Sequence, residues 1–351
     1  MKKILFATTA LVATAGIASA QGVEVSGSAE VGIVGGDRYA TATEENGVDQ
    51  LWTDVEVTFT MSGEADNGLT FGASVQLDEG ANANGTDDGG ATWFLAFGGA
   101  RLDMGDTDGA FDAAMTEAAL VGTIDDTETE YTAFNANTGL DGDYDGQIAR
   151  FSYSFDAFTG FLSVEMDDEG EYEPIYGIGF SYAGNIGGLN LGVGIGHQQG
   201  DEDYSDDSLI LASAALGLAT SVEEAYDAGS IAAAESVTGI SLSLGTDNGI
   251  TGILNYSEAE YSDDTFDTET ETSTVVGVFY TMNALSLGLS YSQYDDRFGI
   301  DGVEVDGYAL AVNYDLGGGL VAQAGYAQSD IDFDGEDFDT DNYSVGLSMS
   351  F

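Results

Sequence analysis

Val23-Glu24-Val25-Ser26-Gly27-Ser28-Ala29-Glu30-Val31-Gly32-Ile33 is the stretch that decides the fold. Every odd position is apolar or Gly, and every even position is polar or Gly. Successive side chains of an extended chain point to opposite faces, so period 2 means a strand with one apolar and one polar face. The pattern recurs at Val55-Glu56-Val57-Thr58-Phe59-Thr60-Met61-Ser62 and at Leu69-Thr70-Phe71-Gly72-Ala73-Ser74-Val75-Gln76-Leu77-Asp78. It returns in Phe151-Ser152-Tyr153-Ser154-Phe155 and Ile240-Ser241-Leu242-Ser243-Leu244. The last segment, Tyr343-Ser344-Val345-Gly346-Leu347-Ser348-Met349-Ser350-Phe351, repeats it and ends on an aromatic.

Alternation also occurs in soluble sheets, so the connections matter. Short turns are expected at residues 63–68, 98–100, 156–158, 183–188, near 217, at 246–249 and at 315–319. Long acidic loops alternate with them, at 37–50, 79–90, 105–147, 167–174, 198–207, 258–271 and 330–341. Short turns at one end and long loops at the other are the mark of an outer-membrane barrel. The strands counted this way number about 18, the weakest hairpin being the Ala-rich segment 209–226, and the expectation stands at 16–18. A barrel of that size keeps an aqueous lumen. Closure satisfies every backbone group in a solvent without water. The odd face of the first strand suits lipid and the even face, with Glu24 and Glu30, suits water. Phe155, Tyr182, Tyr314 and Phe351, near strand ends, suit an interfacial girdle.

Met1-Lys2-Lys3, an apolar stretch from Ile4 to Ile17 and Ala18-Ser19-Ala20 read as a secretory signal peptide, residues 1–20. The barrel domain is expected over residues 21–351. Without Cys, a disulfide scaffold is excluded. The chain holds 63 acidic and 6 basic residues, and removing Lys2 and Lys3 takes the formal charge from −57 to −59. Such a surface repels nucleic acid. Regular apolar spacing and 11% aromatics argue against disorder.

Four features carry a resemblance to a known family. They are Phe59-Thr60-Met61-Ser62-Gly63 with Gly68-Leu69-Thr70-Phe71-Gly72-Ala73-Ser74; Arg101-Leu102-Asp103-Met104-Gly105-Asp106-Thr107-Asp108-Gly109-Ala110; Tyr314-Asp315-Leu316-Gly317-Gly318-Gly319; and the terminal strand ending in Phe351. Together they resemble the general diffusion porins of alphaproteobacteria, the Rhodobacter type. The resemblance implies an outer-membrane homotrimer of barrels, surrounded by lipid and lipopolysaccharide. Its third long loop folds inward and narrows the lumen, and Phe351 resembles the signal read by the barrel-assembly machinery. The family usually has 16 strands and several basic residues on the wall facing the loop, and this chain has few.

The 43-residue stretch 105–147 contains eleven acidic residues and no Lys or Arg. Folded inward, it makes an acidic constriction, with Asp106, Asp108, Asp112 and Glu117 as the expected pore-lining carboxylates. Arg101 and Arg150 share the polar parity of their strands. They are expected on the pore wall, either opposing those carboxylates across the lumen or pairing with them to anchor the loop. Arg38 and Arg297 fall in external loops. Asp141-x-Asp143-x-Asp145-Gly146 and Asp330-x-Asp332-x-Asp334-Gly335 have the spacing of calcium loops. The twelfth position is Ser152 in the first and Asp341 in the second, so only the second supplies a closing carboxylate. Structural Ca²⁺ is therefore a candidate, and no other cofactor is required. His197, the single histidine, shares parity with Leu189, Leu191, Val193 and Ile195 and is expected at the outer rim, without the partners of a catalytic His.

These residues favour a non-enzymatic, cation-preferring channel for small hydrophilic solutes. A sugar-selective channel is the alternative, as is a structural barrel whose loops bind divalent cations. A sugar channel needs aromatics along the lumen, whereas Tyr and Phe here fall mostly on the apolar parity.

Overall fold

The computed structural model describes residues 22–37, 49–79, 90–119, 121–124, 131, 133–142, 147–167, 172–200, 234–261, 270–333 and 336–351. Residues 1–21, which include the expected signal peptide, lie outside them, as do Arg38, Asp143, Asp145 and Asp334. The described chain forms a closed barrel of 16 strands, each antiparallel to its sequence neighbours. The first eight are β1 (Gly22–Gly36), β2 (Gln50–Glu64), β3 (Thr70–Glu79), β4 (Ala91–Phe97), β5 (Ala100–Gly105), β6 (Ile148–Phe155), β7 (Phe158–Glu165) and β8 (Ile175–Ile186). The rest are β9 (Leu189–Gln199), β10 (Ala234–Thr246), β11 (Ile250–Tyr261), β12 (Glu271–Met282), β13 (Leu285–Asp295), β14 (Glu304–Gly317), β15 (Leu320–Phe333) and β16 (Glu336–Ser350). A short helix α1 (Ala110–Ala114) and a 3₁₀ turn (Arg297–Gly299) sit in loops. Pairing of β1 with β16, Gly32 opposite Gly346, closes the ring and leaves no free sheet edge.

Sixteen strands, not 18, complete the circle. The segment 209–226 lies outside the described residues. Among the described residues β9 pairs directly with β10, His197 opposite Thr238, which sets the count at the lower end of the expected 16–18. Alternation in that Ala-rich stretch was too weak to tell strand from connection. The expected short turns fit at six of seven places, and a further one at Asn283-Ala284 joins β12 to β13. Asp156 and Asn283 take the positive φ of these two-residue turns, at 56° and 57°, a conformation Asp and Asn tolerate through local hydrogen bonding. The loop expected at 330–341 is not a loop: β15 runs to Phe333 and β16 begins at Glu336. Alternating Asp residues there read as polar punctuation, but β15 and β16 carry Asp330, Asp332, Asp339 and Asp341 within the sheet.

Alternation works as expected. Val23, Val25, Leu95, Phe180, Leu254, Val278 and Leu310 all stand exposed on the outer wall, the arrangement for contact with acyl chains. Phe155, Tyr314 and Phe351 are exposed at the short-turn end, and Phe158 lies 5.0 Å from Tyr182 between ring centroids. Among the described residues no helix is long and apolar enough to cross a membrane.

Candidate functional site: the narrowed lumen

The described residues between 106 and 141 lie against the inward face of the barrel. α1 packs on β7, β8 and β9, and the chain then crosses to the far wall and returns. Phe111 and Leu140 bury against Val237 and Ala259. Ala118 and Val121 bury against Ile253, Val275 and Phe279. Ile124 reaches Val34 and Trp52 on β1 and β2, and Tyr131 and Ala133 pack on Tyr294, Val305 and Ile331. A long loop without a sheet of its own is thus held by four apolar contacts with the wall.

The wall admits the loop because its inward positions there are small. A Cβ on Gly179 would stand 2.0 Å from the Ala110 carbonyl oxygen, and one on Gly194 would stand 2.0 Å from that of Ala114. No side chain fits at those distances. Backbone polar groups of the loop find wall partners: Ala110 N–H donates to Ser163 Oγ at 2.9 Å and Thr116 N–H to Ser241 Oγ at 3.0 Å. Asn135 Nδ2 donates to the hydroxyls of Ser257 and Ser273.

The base of the loop is closed by a carboxylate. Gly109 N–H donates to Asp141 Oδ2 at 2.6 Å, and Gln198 Nε2 donates to Asp141 Oδ1. Gln198 Oε1 in turn accepts from Leu140 N–H at 2.8 Å, which fixes the amide's orientation. Burial raises the Asp141 carboxyl to about 7, against the pull of those two donors, and Glu165 and Asp108 push it the same way as burial. Asp141 thus joins the two ends of the loop.

Asp106, Asp108 and Glu117 are exposed. Asp112 is half-buried, and burial, then Asp108, Asp141 and Glu117, raises its carboxyl to about 8. It is mainly neutral at pH 7. The two arginines face inward with Asp103. Arg101 Nε donates to both Asp103 oxygens at 2.8 and 2.9 Å, and its guanidinium lies 4.1 Å over the Phe94 ring. Arg150 Nη1 donates to the Asp108 carbonyl oxygen at 2.7 Å, and its guanidinium lies within 3.8 Å of Asp103. Of the two roles open from the sequence, the geometry is that of the anchoring pair. Each arginine is matched by an adjacent acid on its own side of the lumen.

The sequence reading passed over a second run of inward acids, on the wall that Ile124 touches at Val34 and Trp52. On β1–β3 the inward positions include Glu24, Glu30, Asp54, Glu56 and Asp78, and no Lys or Arg stands on these strands. Glu30 pairs opposite Asp54, and Glu56 opposite Asp78. Ser28 Oγ donates to Glu56 at 2.6 Å. The signal was available, since each of these acids has the polar parity of its strand. The acid-rich loop drew attention away from it.

Of the expected calcium residues, Asp141, Asp330, Asp332 and Asp341 lie among the described ones. Asp141 is engaged in the loop base, while Asp330 and Asp332 stand two residues apart on the outward face of β15 and Asp341 on β16 opposite Gln328. Extended residues i and i+2 set their carboxylates about 6.6 Å apart along a strand instead of wrapping them around one ion. Among the described residues no three His, Cys, Asp or Glu side chains form a metal-holding group. His197 faces outward, its Nδ1 2.8 Å from Thr238 Oγ1.

The family model described as Gram-negative porin matches residues 7–335. The chain belongs to the Gram-negative porins. It is 26% identical to a porin of Rhodobacter capsulatus over 331 residues, covering 88% of this chain and 95% of that one. A triple mutant of Rhodopseudomonas blastica porin superimposes with a TM-score of 0.63 at 15% identity, covering 94% of this chain and all of the other. A second variant of the same porin gives 0.62 at the same identity and coverage. At that identity the structural likeness speaks for the fold. This porin is therefore an outer-membrane channel for diffusion and not an enzyme, and the resemblance to the Rhodobacter type drawn from its motifs holds.

Proposed function

We propose that this porin is a cation-preferring pore for small hydrophilic solutes. The observation that carries the reading is the charge of the free lumen. Acids of β1–β3 line one side, Asp106, Asp108 and Glu117 lie on the loop, and the inward arginines on β5 and β6 are each matched by an adjacent carboxylate. Fields between narrow low-dielectric walls of one sign concentrate the opposite ion. The test is the zero-current potential across a planar bilayer under a KCl gradient. It is expected to show K⁺ preference that weakens as salt screens the field, and Cl⁻ preference overturns the proposal.

A homotrimer is part of the same proposal. β4, β5, β6 and β7 have 7, 6, 8 and 8 residues, against 11 to 15 for β8–β16. Crossing the hydrocarbon takes about 9–11 tilted residues, so this low wall suits contact with another copy better than contact with lipid. Its outward residues Leu95, Phe151 and Leu162 are exposed and apolar. Leu95→Arg is expected to shift unheated gel mobility from trimer to monomer. Leu310→Arg, on the tall wall, is expected to leave assembly intact.

A further inference from the structure

Toward the loop end of the barrel, a cavity of about 190 Å³ remains between the inward loop and the wall. Its floor is apolar: Phe111 and Leu140 from the loop, Val237 and Ala259 from β10 and β11. Over it stands the Arg297–Glu271 ion pair, Nη1 to Oε1 at 2.7 Å. The guanidinium carbon lies 3.8 Å from the Tyr294 ring centroid and 4.5 Å from that of Phe298. Glu271 is held in turn by Phe298 N–H at 2.8 Å and the Tyr261 hydroxyl at 3.1 Å, both donating to Oε2. The pair is fixed before any ligand arrives, so little ordering is left to be done on binding.

The donor and acceptor inventory shows what the pair can still take. A guanidinium has five N–H donors, and among the described residues Arg297 gives one to Glu271 and stands beside the Tyr294 hydroxyl. A carboxylate has about four acceptor sites, and the three bonds above use three of Glu271's. One face of the cavity therefore offers spare cationic donors, an acceptor site lies next to them, and an apolar floor lies below. The volume is below the roughly 300–1,000 Å³ of pockets for drug-sized ligands.

We infer that this cavity is a binding subsite for a small zwitterion with an apolar body, the chemistry of an apolar amino acid. Its carboxylate lies on Arg297, its ammonium on Glu271, and its side chain on Phe111, Leu140 and Val237. A zwitterion has no net charge, so the acidic vestibule does not expel it as it expels a simple carboxylate. The inference rests on the chain being an open channel, and that channel supplies the readout.

The experiment measures K⁺ current through single channels in planar bilayers as L-leucine is added on the loop side. Leucinamide, which lacks the carboxylate, and 4-methylpentanoate, which lacks the ammonium, are the comparison probes. L-leucine is expected to reduce the current saturably, and each comparison probe to need at least about tenfold more for the same effect, as loss of one charged hydrogen-bonding group requires. Arg297→Gln with Glu271→Gln removes both charges together, avoiding a lone buried carboxylate. Ala259→Phe fills the floor and leaves the pair in place, so either variant tests the site if the other does not fold. Both are expected to abolish the leucine effect. An absent leucine effect, equal effects of the three probes, or an undiminished effect in a folded variant overturns the subsite. A chain that passes no K⁺ current at all faults the channel reading instead.

Discussion

The inner wall of β8, β9 and β11 and the inner wall of β1–β3 are built on the same alternation and do opposite things. Inward positions of β8, β9 and β11 carry no charged residue, and Gly179 and Gly194 bring the loop backbone against the sheet. Inward positions of β1–β3 carry Glu24, Glu30, Asp54, Glu56 and Asp78, and between β2 and β3 Glu56 and Asp78 stand opposite one another. Like charges directly opposite in a sheet are destabilising, and water or a passing cation offsets that where the acids reach the lumen. The contrast teaches that this barrel spends its small residues where the loop lies and its charge where the solute passes.

The largest way to break that contrast is to fill the covered wall. Gly194→Val places a branched side chain where a Cβ already falls 2.0 Å from the Ala114 carbonyl oxygen. Overpacking of this kind costs about 1–3 kcal/mol, and the loop is expected to leave its seat. Neutral polymers of graded size should then show a changed exclusion limit, with the barrel still heat-modifiable on gels. Thr58→Val, on the acidic wall, is expected to leave the limit unchanged. An unaltered limit in Gly194→Val would mean that the loop does not set the aperture.

A smaller effect comes from pH. The Asp141 and Asp112 carboxyls, raised to about 7 and about 8 by burial and neighbouring acids, are neutral at pH 6 and charged at pH 9. K⁺ preference should therefore rise across that interval. A carboxyl raised above its unfolded value of 3.8 loses folding stability as pH rises from that value through the folded one, so the hold on the loop should weaken between about pH 4 and about pH 8. Asp112→Asn is expected to leave only the lower step in the zero-current potential, and a profile identical to the parent's would remove Asp112 from the account. The smallest effect is expected of Arg150→Gln. It frees Asp108 and removes one positive charge, so K⁺ preference should rise slightly, and a fall would show that Arg150 does not act as the partner of Asp108.

Most of the fold was legible because alternation is local. Val23 to Ile33 and Tyr343 to Phe351 each declare their faces without reference to the other, and they meet as β1 and β16. Strand number was less legible, since the Ala-rich 209–226 has almost no alternation and only the direct pairing of β9 with β10 sets the count at 16. At the site, the exposure of Asp106 and Asp108 and the inward parity of Arg101 and Arg150 were readable. The raised carboxyl of Asp112 was not, because it depends on burial against the wall and on Asp141 brought close by the loop's return. Inward glycines at 177, 179, 192, 194 and 196 were the available sign of the loop's seat. They read as packing positions, and only the three-dimensional path of the loop shows what packs there.

The central claim is that the acidic wall of β1–β3 sets the sign of the selectivity. It is tested most directly by the zero-current potential of a variant carrying Glu30→Gln, Asp54→Asn, Glu56→Gln and Asp78→Asn in a KCl gradient. The account predicts a K⁺ preference severalfold below that of the parent, while Asp106, Asp108 and Glu117 remain in place. A folded quadruple variant with the parent's zero-current potential would contradict it.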